Sequence, residues 1–427
     1  VDRAHVALLK PEAVLDAEEA EVHTKDLPER EERPWRGRDI SPPDNSFVND
    51  VLLHDRALGL LRTLSGHDGI HASAADTANY RAVFARDAVM AGVAGLLVRD
   101  PVITAGLVRT LERLRELQGV EGQIASNFEM RQRGAPHVSF GTLAPRLDAT
   151  TWYLVGIALA TKAGAIDPEP YRASVRAVVR LLDALEYNGR HLIYVPAGGN
   201  WADEYVYDGY VLYDQVLRAW GLRLCGGLFG EKAFTDKAQA IDERIAVAYS
   251  PRAGAPRPHP PAAFSPLGVL DTFDLAACAL LALSGVAPSL GATALDFIAG
   301  EFLARDMLPP AFHPVIDEGH PDWPALRAYH LHGFRNRPHE YHNGGVWPIW
   351  LGWLALALSH AGRPSDLARL RALVDARLRG NANFAFEEYW HGVTGEAGGT
   401  PSMAYTATGL LFLRVADHES TLALLRP

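Results

Sequence analysis

Three observations predict an all-α fold made of six helical hairpins closed in a ring. From residue 47 onward, apolar residues recur at three and four positions, the period of a helix and not the alternation of a strand. Twelve such stretches alternate with Gly/Pro-rich loops. No fixed repeat period runs through them, whereas an open solenoid would show one.

The spacing predicts helices over 48–64, 84–98, 101–117, 149–163, 170–187, 208–225, 232–248, 271–285, 292–305, 346–360, 364–378 and 402–416. Five connections are long: 118–147, 188–207, 249–270, 306–345 and 379–401. Loops beyond ~12–15 residues in a compact domain are usually functional or disordered. These are not low-complexity; they are dense in aromatic, carboxylate, asparagine and glycine residues, and the richest fall at every second connection. A helical ring would gather them on one face, where loops on a rigid scaffold carry function.

Residues 1–45 differ, mixing acidic and basic residues with Pro28, Pro34, Pro42 and Pro43. They read as an irregular arm, with a short strand near residues 4–9. Length alone would suggest about three domains at ~150 residues each. No flexible linker interrupts 46–427, however, so one barrel is expected there.

Composition removes several function classes. The 41 basic and 51 acidic residues leave a net charge of −10 without a basic cluster, which disfavours nucleic acid as a partner. The longest apolar stretches, 89–98 and 346–358, fall short of the ~18 residues that suggest a membrane span. Two cysteines, Cys225 and Cys278, cannot build a disulfide framework or a four-thiolate metal site. A reducing, cytoplasmic setting is the simplest expectation. The chain starts at Val1, so a removed leader stays compatible with it. A homo-oligomeric state is left open.

Five loop clusters could carry chemistry. Residues 79–87 (NYRAVFARD) enter an apolar helix with Arg86 and Asp87 adjacent. An Arg–Asp pair capping that helix is the plain alternative. Residues 121–128 (EGQIASNF) are followed by Asp148, placed directly before a helix as an N-cap would be. Residues 198–210 combine Asp203, Glu204 and Asp208 with Trp201 and three tyrosines. Aromatic faces beside carboxylates suit a carbohydrate, with rings on the C–H faces and acids on the hydroxyls. Residues 339–350 and 386–400 again mix carboxylate, amide, histidine and aromatic groups beside glycine.

Competing chemistries have weaker support. His330, His332, His339 and His342 could in principle hold zinc, but no HExxH helix or thiolate accompanies them. No nucleophile elbow, P-loop or dinucleotide fingerprint is present. Paired carboxylates remain, with neither metal nor cofactor expected.

At these residues the chain resembles a known family. NYRAVFARDA, LDATTWYL, NWADEYVYDGYVLYDQ, YHNGGVWP and FEEYWHG occur in the order seen in the alkaline/neutral invertases. Related blocks occur in the glycogen-debranching, trehalase and glucoamylase-type glycosidases. The likeness covers about residues 70–416, and YHNGGVWP is its best single block.

The resemblance implies an (α/α)6 barrel and hydrolysis with inversion by two carboxylic acids. It places Asp203 as general acid and Glu388 as general base, with Glu387 the competing register for the base. It has Arg86 and Asp87 hold sugar hydroxyls, and Asp148, His342, Asn343 and Trp347 line the sugar subsite. Tyr80, Phe84, Gln123, Asn127, Trp152, Trp201, Glu204, Tyr207, Glu387 and Trp390, from the same clusters, complete the expected substrate contacts.

Two departures touch the substrate. Invertases read VDSGLWW where this chain has LDATTWY, and two arginines follow their acid where Glu204 and Tyr205 follow Asp203. The expected substrate is a short α-glucoside, sucrose being the first to try. The alternatives are a trehalase-, debranching- or glucosylglycerate-hydrolase-like enzyme, a sugar 2-epimerase using His339, His342 and His391, and an inactive sugar-binding barrel.

Overall fold

The computed structural model describes residues 46–426 except 76–79, 132, 142–143, 187–188, 203, 251–257, 329, 331–332 and 382. The arm at 1–45 with its strand at 4–9, and Asp203 among the site candidates, lie outside the described residues. Phe47–Pro427 group as one compact unit.

The described helices are α1 (Ser46–Leu64), α2 (Ala85–Val98), α3 (Pro101–Glu116), α4 (Leu147–Lys162), α5 (Arg172–Ala184), α6 (Leu212–Phe229) and α7 (Lys232–Ala248). They continue with α8 (Leu275–Ser284), α9 (Pro288–Glu301), α10 (Trp323–Ala328), α11 (Pro348–His360), α12 (Pro364–Arg379), α13 (Ala404–Val415) and α14 (Glu419–Leu425). All twelve expected helices are present. The expected 208–225 helix begins four residues later, because Tyr210–Val211 are drawn into a short sheet with 263–270. The expected 292–305 helix begins at Pro288, a residue suited to a helix's first position, and closes in a separate 3-10 turn.

Two kinds of helix alternate. Helices α2, α4, α6, α8, α11 and α13 are buried on nearly every side, as helices apolar all round must be. The others bury one stripe; α3 hides Ile103, Leu107, Leu111 and Leu114, and α7 hides Phe234, Ala238, Ile241 and Ile245. Each inner helix packs on the next, and α13 packs back on α2, which closes the ring. Outside it, α3, α7, α9 and α12 cover α2, α6, α8 and α11. Ser174 of α5 bonds Tyr153 of α4 at 2.9 Å, and α1 shares a groove with α12 and α13. The fold is therefore an (α/α)6 barrel in which the first outer helix partners the last inner one.

The barrel axis is filled, not open. Trp152, Trp220, Trp353 and Phe412, from four inner helices, meet with ring centroids 4.8–6.4 Å apart. Two glycines set the tightest wall: Gly352 of α11 faces Gly409 of α13, where a Cβ at Gly352 would stand 2.5 Å from the Gly409 carbonyl. Small sheets of two or three strands, absent from the helical expectation, brace the loops at the ends where the inner helices begin. Strand β1 (Val83–Phe84) pairs with β2 (Asn127–Glu129), and β2 with β3 (His137–Ser139). Strands β4 (Tyr210–Val211), β5 (Ala263–Ser265) and β6 (Gly268–Leu270) form a second sheet. Strand β7 (Phe273–Asp274) pairs with β8 (Phe312–His313), and β9 (Tyr389–Trp390) with β10 (Ala397–Gly398). Among the described residues no helix is long and apolar enough to cross a membrane.

Candidate active site

The long loops lead into the N-terminal ends of the inner helices, so the five clusters share one face. Carboxylates sit at four consecutive inner helix starts. Asp87, Asp148 and Asp214 lie in the first turns of α2, α4 and α6, and Asp274 caps α8 through the Ala277 N–H at 3.1 Å. The partial positive charge of a helix N-terminus favours an acid there. Ring closure brings the four together. Asp148 thus sits one residue inside its helix and not before it, and its carboxylate is free for other partners than the capping role expected of it.

Those partners are Arg86 and Tyr213. Arg86 Nη1 donates to Asp148 at 2.9 Å, its Nε donates to Asp87 at 3.2 Å, and its guanidinium stands over Tyr405 at 5.8 Å. The two acids hold the buried Arg86 charged, offsetting its desolvation. Below, Trp152 Nε1 donates to the Tyr213 hydroxyl at 2.8 Å, and that hydroxyl reaches Asp148 at 3.5 Å. Trp152 is therefore part of the axial plug and supports the floor from beneath.

Glu388 occupies the opposite wall and is 3% exposed. The Tyr80 hydroxyl donates to its Oε1 at 2.8 Å and the Thr400 N–H to its Oε2 at 2.9 Å. Gly399, at φ +83, makes the second bond possible, because a Cβ there would overlap the Glu388 carboxylate. Burial pushes the Glu388 carboxyl above the usual range, while Thr400, Tyr80 and the nearby Arg335 pull the other way. Each oxygen keeps a lone pair for a further donor. Phe84 stacks on Tyr80 at 6.3 Å, and Asn127 pairs with Phe84 across the β1–β2 ladder.

Arg335 ties the third wall together. Its Nη2 lies 3.0 Å from Glu204 Oε2, and its guanidinium covers the Tyr341 ring at 4.1 Å. Asn336 donates to the Glu204 carbonyl at 2.6 Å, pinning the residue that follows Asp203. On the other side, Asn200 accepts from the Ala202 N–H at 3.1 Å and donates to Asp214 at 2.9 Å. Ala202 and Glu204 are thus each held by an asparagine. Trp201 stacks on Phe312 at 5.5 Å and meets the edges of His342, Trp347 and Trp350.

Not every expected contact enters this basin. Glu387 accepts from the Ala385 N–H at 3.0 Å and lines a separate outer cleft, so the structure turns Glu388 and not Glu387 toward Tyr80. Asn343 spends its amide on the Ile316 and Asn336 backbone, as a latch between loops. Gln123 accepts from the Glu121 N–H within its own turn. Trp390 packs on Phe384, and its backbone pairs with Val346. His342 is stacked on Trp347 at 5.4 Å, while His339 faces His391 at 5.9 Å.

Arg335, Asp214 and Asp274 escaped the sequence reading. Asp214 stood within the quoted 200–215 block and its helix-start position was the available signal. Burial and the neighbouring Asp148 and Asp274 push the Asp214 carboxyl well up. Burial also raises Asp274 to about 6, against the hydrogen bond from Tyr207. With its folded value above the unfolded one, the native state binds the extra proton between about pH 4 and 6. Asp274 should therefore add stability at pH 4 that is lost as pH rises through 6. Urea titrations of Asp274→Asn, which keeps an N-cap acceptor, should show that part of the pH dependence gone; a curve parallel to wild type would contradict it.

Fold and basin together define a class, the (α/α)6 barrel with an acid- and aromatic-lined centre at its inner helix starts. Residues 313–418 match the model of a family described as alkaline and neutral invertase. "Probable alkaline/neutral invertase D" of Arabidopsis thaliana is 32% identical over 125 residues, 29% of this chain. The match spans 22% of that relative's length. A GH63 mannosylglycerate hydrolase of Thermus thermophilus, solved with glucose, is similar at TM-score 0.60 and 14% identity, over 84% of this chain and 99% of that one. A wild-type glycosidase structure is similar at TM-score 0.57 and 14% identity, over 90% of this chain and 100% of the other. The likeness to the invertase family read from the loop motifs is thus met in the C-terminal quarter, and the barrel in the fold.

Proposed function

We propose that the protein is an inverting glycoside hydrolase acting on a short α-glucoside such as sucrose. The observation that carries this reading is Glu388: a buried carboxylate held on each oxygen, facing a basin of acids, aromatic rings and Arg86. Its raised basicity suits a group that takes a proton from water. Arg86 and its two aspartates present both donors and acceptors to sugar hydroxyls, and Trp201 and Trp347 supply apolar faces.

In this mechanism Asp203 protonates the glycosidic oxygen while Glu388 deprotonates the attacking water on the opposite face of the sugar. Inversion requires the two carboxyl groups to stand ~6.5–9.5 Å apart, leaving space for that water. Arg335 fills, with its Glu204 pair, the side where the invertases carry two arginines after the acid, and we assign the leaving group to that side.

Proton NMR of freshly started reactions tests the stereochemistry. Sucrose, trehalose, maltose and glucosylglycerate are the substrates to compare. Inversion of an α-glucoside releases β-glucose first; α-glucose as first product would refute the mechanism. Asp203→Asn should abolish cleavage of natural substrates, and unchanged turnover would remove Asp203 from the acid's role. Sugar binding without turnover in wild type would leave the inactive-barrel alternative standing.

A further inference from the structure

The segment entering β9 carries two carboxylates in succession, and successive residues of an extended chain point to opposite sides. Glu388 faces the basin. Glu387 faces a cleft of about 720 Å³ between the end of α12 and the 381–397 loop. That size falls in the range of small-molecule sites, about 300–1,000 Å³.

The cleft wall has an unusual balance. Arg377 of α12 is half-buried in it, and among the described residues it makes no hydrogen bond or ion pair. Burial without a compensating partner lowers its pKa. The guanidinium lies against Gly395, at φ +76, where any side chain would collide with it. Glu387 and Glu396 add acceptors, Asn381 and Asn383 add both donors and acceptors, and Leu308 and Leu373 add apolar surface.

An anion placed here would meet carboxylates, and a cation would meet Arg377. A neutral polyhydroxy ligand matches both, because each hydroxyl donates to a carboxylate and accepts from a guanidinium or amide. We propose that this cleft is a second, non-catalytic saccharide site taking a mono- or disaccharide unit, with Arg377 as its principal donor. It adjoins the basin through the backbone of 387–388 and of β10.

The test uses the full chain carrying Glu388→Gln, so that sugar is bound without turnover, with glucose and sucrose as probes. Calorimetric titration should show two classes of site. Adding Arg377→Ala should weaken one class about tenfold, the effect of one lost charge-assisted hydrogen bond, and leave the other. Asn383→Ala, at an exposed position, should weaken the same class without altering the melting curve. A crystal soaked with glucose should show the sugar against Arg377. Titrations in which neither substitution weakens any binding would overturn the proposal, whether one class of site or two is seen. Binding is read directly, so the outcome does not depend on which glycoside, if any, the basin cleaves.

Discussion

Glu388→Gln should lower kcat about 10²–10⁴-fold while leaving KM nearly unchanged, the loss associated with a missing general base. Glutamine keeps the shape; its carbonyl oxygen can accept from the Thr400 N–H while its NH2 donates to the Tyr80 hydroxyl, which can turn to accept, so the basin should hold its form. It cannot take a proton from water. The pH profile provides a second readout. The proposed mechanism needs Glu388 ionised, and burial raises its carboxyl, so kcat/KM should fall as pH drops through a value above the usual ~4.3. Tyr80→Phe removes a hydrogen bond to the ionised form and should move that acid limb further up. Wild-type turnover in Glu388→Gln, or an acid limb that Tyr80→Phe leaves in place, would sink the assignment.

Arg86→Met should destabilise the fold by about 3–5 kcal/mol, the cost typical of breaking a buried ion pair by removing one partner. Asp87 and Asp148 are 6% and 1% exposed, and Arg86 is the guanidinium bonded to both. Methionine keeps the apolar stem of the side chain without its guanidinium, leaving two acids close together at neighbouring helix starts. Urea unfolding followed by circular dichroism measures the loss. Replacing Asp148 by asparagine in the same chain should recover part of it, since one of the two neighbouring acidic charges is then gone. A single-variant loss below about 1 kcal/mol, the scale of a surface pair, would show that the trio does not hold the barrel mouth.

The helices were legible because burial imposes a period on the chain. A further distinction was available in the same residues: 348–358 is apolar on all sides and 364–379 on one, which separates an inner from an outer helix. The loop clusters were legible because carboxylates and aromatic rings are rarely so dense in loops that only connect helices. The motif favours Glu388 over its neighbour Glu387, since only Glu388 is followed by two aromatic residues, one further residue and glycine, but where each side chain points is not written in it. Their separation comes from the backbone, which sends one to Tyr80 and the other to the outer cleft.

What the sequence determined by itself was the twelve helices of the ring, their order, and the one face that the richest loop clusters share, because periodicity and loop composition are local properties. Only the tertiary structure decided which side chains meet. Arg335 reaches Glu204 across 131 positions and Tyr80 reaches Glu388 across 308, separations that leave no trace in local spacing. The buried acids Asp214 and Asp274 acquire their character the same way. An aspartate at a helix start is ordinary, and its carboxyl is raised above the usual range only when ring closure sets it beside others and shuts out water.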